Sequence, residues 1–152
     1  MANRDQNIQT PVEFVRAVEE CLGIKFSYDM AGTEDNKKAP NVFTEEQNSL
    51  QIGWPKDGWC WLNPPFKNVG KWAEKCLEQK IRGCRIVSIW PLSGDLNMIL
   101  AWEIASIYII HGRVWPEVRG CMLCVWNAYD TQRPPLGVLW DKKRSELIKT
   151  WG

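Results

Sequence analysis

The sequence predicts an α/β fold built on a mostly parallel sheet with an antiparallel edge, in one minimal domain over residues 1–152. Three observations carry this. Short apolar runs alternate with helical patterns of roughly a dozen residues, the mark of βαβ units. The length of 152 residues suits one domain, and 45% hydrophobic residues supply one core. No internal repeat or linker-like stretch divides the chain.

Thr10-Pro11-Val12-Glu13 predicts a helix start, with Thr10 as cap, Pro11 at the first helical position and Glu13 three residues after the cap. Phe14, Val15, Val18 and Leu22 follow at helical spacing until Gly23. Ile24, Phe26 and Tyr28 alternate as a half-buried strand running to Asp29. Met30 to Asn41 is polar, carries Gly32 and Pro40, and reads as a loop. Thr44-Glu45-Glu46-Gln47 is a second capping box and predicts a short helix. After a turn over Trp54 to Gly58, Trp59 to Leu62 reads as a buried strand stopped by Asn63-Pro64-Pro65. Asn68 is expected to cap a helix with Val69, Trp72, Ala73, Cys76, Leu77 and Ile81 on one face.

Cys84 to Trp90 predicts a strand stopped by Pro91, and Ser93-Gly94-Asp95 opens a third helix with Leu96, Ile99, Leu100 and Ile104 inward. Ile107 to Ile110 and Cys121 to Trp126 predict an antiparallel pair closing one edge of the sheet, with a turn at His111-Gly112. After Pro134-Pro135, Leu136 to Trp140 reads as a last strand. A short basic amphipathic helix is expected to end at Trp151.

A net charge of +1 argues against a strongly basic nucleic-acid coat protein, so any DNA-binding surface must be a local patch. No segment reaches the ~18 apolar residues of a membrane span. Met1 to Gln9 is polar, without a signal-peptide core, so no membrane partner and a cytoplasmic location are expected. Cys21, Cys60, Cys76, Cys84, Cys121 and Cys124 therefore read as free thiols, mostly buried. Cys121 and Cys124 have the spacing of half a zinc site. No second pair follows, His111 is the single histidine, and a strand would send the two thiols to opposite faces, so no metal is expected. The ten tryptophans suit core packing or base stacking, and composition alone leaves both open.

Asn63-Pro64-Pro65-Phe66 carries the chemistry. It stands at the carboxyl end of a strand, where open α/β sheets bind ligands. Two consecutive prolines fix two φ angles and remove two amide donors, leaving carbonyls as acceptors. An exocyclic amine offers two N–H donors, which Asn63 Oδ1 and the Pro64 carbonyl suit. Accepting both shifts lone-pair density onto the nitrogen and makes it nucleophilic toward a methyl sulfonium. Phe66 offers a flat face to an extruded base. No proton-abstracting base is needed first. In Pro134-Pro135, Arg133 precedes and Leu136 follows, so that pair reads only as a turn.

Asn-Pro-Pro-Phe after a hydrophobic strand resembles the Asp/Asn-Pro-Pro-Tyr/Phe motif of amino-methyltransferases. The ordered set Thr10-Pro11, Asp29-Met30-Ala31-Gly32, Asn36, Phe43-Thr44-Glu45-Glu46, Leu50, Trp54, Trp61-Leu62-Asn63-Pro64-Pro65-Phe66, Gly70-Lys71-Trp72, Pro91 and Gly112-Arg113 resembles the short phage DNA N6-adenine methyltransferases, the phage Dam family. This likeness runs from about Thr10 to Trp126. It implies a Rossmann-like class I methyltransferase fold, S-adenosylmethionine as cofactor, DNA as partner, and a phage- or prophage-encoded protein working in a bacterial host. It also implies that Thr10 and Pro11 flank the methionine end of the cofactor. Asp29, Met30 and Ala31 would sit at the cofactor-binding strand end, with Asp29 beside the α-amino group. Asn63, Pro64, Pro65 and Phe66 are the expected catalytic residues.

Lys67, Lys71 and Arg113 are the expected nucleic-acid contacts, with a solvated helix face as the plainer meaning of the lysines, which continue to Lys75. Lys142-Lys143-Arg144 reads as surface charge. The chain departs from larger methyltransferases in having one glycine at Asp29-Met30-Ala31-Gly32, and it reads Leu92-Ser93-Gly94-Asp95 after Pro91. A catalytically inactive nucleic-acid-binding relative is therefore one alternative. A methyltransferase for cytosine N4 or protein glutamine is another. The small size makes a homodimer a reasonable expectation for target recognition.

Overall fold

A computed structural model describes residues 9–92, 105–116, 120–127 and 136–151. Helix α1, Val12–Leu22, comes first, followed by strands β1, Phe26–Asp29, and β2, Asn41–Val42. Strand β3, Trp59–Leu62, leads through a 3-10 turn over Phe66–Asn68 into helix α2, Val69–Ile81. Strands β4, Arg85–Pro91, β5, Ser106–His111, β6, Cys121–Asn127, β7, Leu136–Asp141, and β8, Glu146–Trp151, complete one sheet.

The eight strands lie in the order β2-β1-β3-β4-β6-β5-β7-β8. β1 pairs in parallel with β2 and β3, β3 with β4, and β5 with β7. β6 and β8 run the other way. The predicted antiparallel pair, β5 and β6, is present but closes no edge. β6 also pairs with β4 over its whole length, which places it inside the sheet, and the edge strand is β8.

Residues alternate across the sheet and build two cores. Cys60, Leu62, Ile86, Trp90, Met122, Cys124 and Trp126 face α2, joining Trp72, Ala73 and Cys76. Trp61, Val87, Ile89, Cys121 and Leu123 share the opposite core with α1 residues Phe14, Val15 and Val18. Cys121 and Cys124 thus point to opposite faces, as the strand reading requires. Among the described residues, seven tryptophans, at 54, 61, 72, 90, 115, 126 and 140, are buried, so their main work is packing.

Gly23 ends α1 in the left-handed conformation, donating to Glu19 and Glu20 carbonyls. Buried Glu19 then ties the helix to the sheet, since its Oε2 accepts the Phe26 N–H at 2.8 Å while Oε1 pairs with Arg16 at 2.6 Å. Pro11, not Thr10, is the N-cap of α1, and no side chain caps it. Asn68 precedes α2 without a side-chain cap. The second capping box forms in part, with Thr44 N–H donating to Gln47 Oε1 at 2.8 Å, but a turn follows it and then a 3-10 turn at Ser49–Gln51.

The largest correction lies at the carboxyl end. The expected terminal helix is strand β8, paired antiparallel with β7 through a turn at residues 142–145. Leu147, Ile148 and Trp151 match a helical face by their spacing in the sequence, yet β7 offers the segment a ladder of backbone partners, which outweighs the local pattern. The expected third helix and Pro134-Pro135 lie outside the described residues.

Candidate cofactor pocket and motif

Strand order reverses between β1 and β3. The chain steps from β1 outward to β2, then returns past β1 to β3 and moves on to β4. At such a switch point the loops leaving neighbouring strand ends diverge and open a crevice. A pocket lies there, lined by the ends of β1 and β3 and the segment after β2.

Asp29, Met30 and Ala31 line it directly after β1, and Thr10 closes it from the amino-terminal side. Asp29 is 3% exposed, and its carboxylate organises the surrounding loop. Oδ1 accepts the Ala31 N–H at 3.2 Å and Oδ2 the Lys38 N–H at 2.9 Å. Burial pushes its carboxyl above the usual range, while those two N–H groups and the Lys38 charge pull it back. Gly32 is demanded by this arrangement, since a Cβ there would stand 2.6 Å from Asp29 Oδ2. The Met30 N–H donates to the Trp61 carbonyl at 2.9 Å, locking the loop after β1 to β3.

Lys38 also lines the pocket, although it carries no sequence signal for such a place. Its Nζ donates to the Asn36 carbonyl at 2.6 Å, and its own carbonyl accepts from Arg16. Burial lowers its ammonium pKa, opposed by the neighbouring Asp29 charge. Thr44, Glu45, Asn48 and Ser49 supply the wall past β2, and Trp61 and Trp72 supply apolar surface. Thr10 Oγ1 is buried and has no hydrogen-bond partner among the described residues. The expected capping role therefore fails, and the hydroxyl sits where a ligand polar group can meet it.

Asn63 and Pro65 line the same pocket. Pro64 is buried beside them and Phe66 stands outside the lining, half buried. The Phe66 ring meets Trp115 at 5.0 Å between centroids, near edge-on, so the aromatic at the motif's end is held from the β5–β6 connection. Pro11 is outside the lining because it caps α1. Lys67 and Lys71 are exposed just after the motif, whereas Lys75 is buried and paired with Glu78 at 3.3 Å. Arg113 is exposed past β5 and donates to the Pro116 carbonyl at 3.1 Å. Among the described residues no cluster of three potential metal ligands occurs. No helix among them is long and apolar enough to cross a membrane.

Fold and pocket together define an α/β protein with a switch-point cleft lined by an acid, a buried lysine, and Asn63 and Pro65 of the Asn-Pro-Pro segment. Residues 1–114 match the family model DNA N-6-adenine-methyltransferase (Dam), and the chain belongs to that family. It is similar to the DNA N-6-adenine-methyltransferase of Haemophilus phage HP1 (strain HP1c1), at 33% identity over 111 residues, covering 69% of this chain and 62% of the relative. It is also similar to the DNA N-6-adenine-methyltransferase of Escherichia phage T1, at 32% identity over 82 residues, covering 54% of this chain and 34% of the relative. The matches thus span less than two thirds of either relative's length.

Proposed function

We propose that the protein is a DNA adenine-N6 methyltransferase with a Rossmann-like class I fold, taking its methyl group from S-adenosylmethionine. The observation that carries this reading is the fusion of motif and pocket. Asn63 and Pro65 line the same crevice as Thr10, Asp29, Met30 and Ala31.

The residues present fit such a donor. Asp29 and Lys38 offer opposite charges to the two ends of an amino-acid zwitterion. The buried Thr10 Oγ1 offers a further hydrogen bond to that end. Glu45, past β2, suits ribose hydroxyls, the role an acidic residue plays beside the first βα turn of dinucleotide-binding sheets. When bound, the cofactor supplies an electrophilic methyl on sulfur. Asn63 Oδ1 and the Pro64 carbonyl accept the two amine protons of an adenine extruded from the duplex. Phe66, braced by Trp115, gives the base a stacking face. Lys67 and Lys71 flank the motif as phosphate contacts. In this reading the protein works in the cytoplasm of a bacterial host, and residues 1–152 act as a single methyltransferase domain. A second copy would add contacts for target recognition, and the mass in solution tests this.

Radiolabelled S-adenosylmethionine and unmodified duplex DNA, followed by digestion to nucleosides, test the reaction. Labelled N6-methyladenine made by wild type and lost in Asn63→Ala supports it. Label on cytosine or protein keeps the motif and changes the substrate. No label, with the cofactor still bound in calorimetry, identifies a non-catalytic relative.

A further inference from the structure

The turn between β7 and β8 lies outside the residues that match the family, 1–114, and contributes nothing to the pocket lining. It reads Asp141-Lys142-Lys143-Arg144-Ser145-Glu146. β7 runs parallel to β5, β5 and β4 are both antiparallel to β6, and β4 is parallel to β3. β3 and β7 therefore end at the same edge of the sheet. The basic turn emerges on the edge that carries Asn63 to Phe66.

Register gives its height. Leu62 pairs with Ser88, Ser88 with Cys124, and Cys124 with Ile107, so these lie level. His111 pairs with Leu139, and β7 continues to Asp141. The turn thus stands about six residues, or about 20 Å, beyond the level of Leu62. Sideways it is four strand spacings from β3, about 19 Å at ~4.8 Å each. Measured along β7, the hairpin therefore projects past the carboxyl edge of the sheet and forms a wall there.

That wall is basic and preformed. Lys142, Lys143 and Arg144 are exposed. Asp141 is turned onto the backbone, its Oδ1 accepting the N–H groups of Lys143 at 3.0 Å and Arg144 at 3.1 Å. Ser145 holds the left-handed position at φ 53°. Arg144 lies 3.9 Å from Asp141 Oδ2, while Lys142 and Lys143 make no ion pair among the described residues. Arg113 belongs to the same wall. The neighbouring Gly112, at φ 91°, approaches β7 so closely that a Cβ would stand 3.1 Å from the Trp140 carbonyl oxygen.

We propose that the β7–β8 turn, through Lys142 and Lys143 and with Arg113 beside it, is a clamp for the sugar-phosphate backbone of duplex DNA whose extruded base enters the Asn63 site. This rests on the DNA substrate proposed above. The sideways offset of about 19 Å corresponds to five or six phosphates at ~3.4 Å along one strand. Contacts of this kind position the duplex without reading its sequence. They put positive charge where the near-neutral chain needs it.

The test titrates a fluorescent duplex into wild type, Lys142→Gln/Lys143→Gln, the corresponding double arginine variant, and Lys56→Gln across a salt series. Methylation of the same DNA is followed in parallel. Lys56 is exposed in the turn before β3, on the opposite edge, and serves as control. The double glutamine variant is expected to lose about tenfold in affinity at low salt, with a slope of log K against log salt reduced by about 2. Its melting temperature stays at the wild-type value, and saturating DNA restores its methylation rate. The double arginine and Lys56→Gln variants keep the wild-type slope. Unchanged affinity and slope in the double glutamine variant, with wild type methylating, overturns the clamp and leaves the methyltransferase reading intact. A wild type that neither binds nor methylates the duplex overturns both.

Discussion

The half of the sheet from β1 to β4 and the half from β5 to β8 bury their faces in similar ways but leave different edges. In the first half all pairings are parallel, so no strand end can turn straight into its neighbour. The chain must leave the carboxyl edge in loops, and these diverge at the β1–β3 switch point to form the pocket. In the second half, β6 and β8 reverse direction. Their turns return the chain along the same edge and project from it as a wall. Parallel ends hold the pocket, and antiparallel ends supply the surface beside it.

Trp140→Ala should give the largest loss of stability, since Trp140 of β7 packs edge-on against Phe14 of α1 at 5.1 Å. A loss of about 3–5 kcal/mol is expected. If the halves share one core, denaturant unfolding stays a single transition. Two separated transitions would break the comparison into two independent units. Asn63→Ala, in the other half, should lower methyl transfer about 10²–10³-fold, the size seen when one preorganised partner of the transition state is removed. Its melting temperature should barely move.

Gly32→Ala sharpens the case for the pocket. The added Cβ meets the Asp29 carboxylate, so a cost of about 1–3 kcal/mol and weaker cofactor binding by calorimetry are expected. Gly70→Ala is its counterpart in α2, where nothing lies within 4 Å, and should stabilise by up to about 1 kcal/mol. Retained cofactor affinity in Gly32→Ala would remove Asp29 from the binding site.

The smallest effect concerns thiols. Cys21 is exposed and the other five cysteines are buried, so a thiol reagent should label one site quickly in the native state and six after denaturation. Burial pushes Cys60 and Cys121 up to about 12, from an ordinary value near 9, and raises Cys76 and Cys124 as well. Folded pKa values above the unfolded ones mean stability that is complete below about pH 9 and is lost as pH rises toward 12. Thermal melts from pH 8 to 11 should show that decline, and Cys60→Ser/Cys121→Ser should make it shallower while Cys76 and Cys124 keep part of it.

Much of the site was legible because its signals are local. Proline pairs restrict the backbone wherever they stand, so Asn63-Pro64-Pro65 marked both a strand end and a set of acceptors. Asp29 was legible as the acid ending a strand. Lys38, Thr44, Glu45, Asn48 and Ser49 were not, because they flank β2, a strand of two residues too short to carry a periodic pattern. Thr10 was read as a helix cap from its pattern, but packing turned its hydroxyl elsewhere. The β7–β8 turn was hidden because Ser145, rather than glycine, takes the left-handed position. Asp141 was its one available clue, as a side chain able to fold back on the next N–H groups.

The sequence by itself determined an α/β chain, the motif at the end of β3, and which residues face each side of β6. These follow from steric and periodic rules that act over a few residues. Only the tertiary structure decided that β6 enters the middle of the sheet, that the last segment becomes a strand, and that a basic turn rises on the motif's edge. Each depends on backbone partners far along the chain, and those partners exist only once the sheet has assembled.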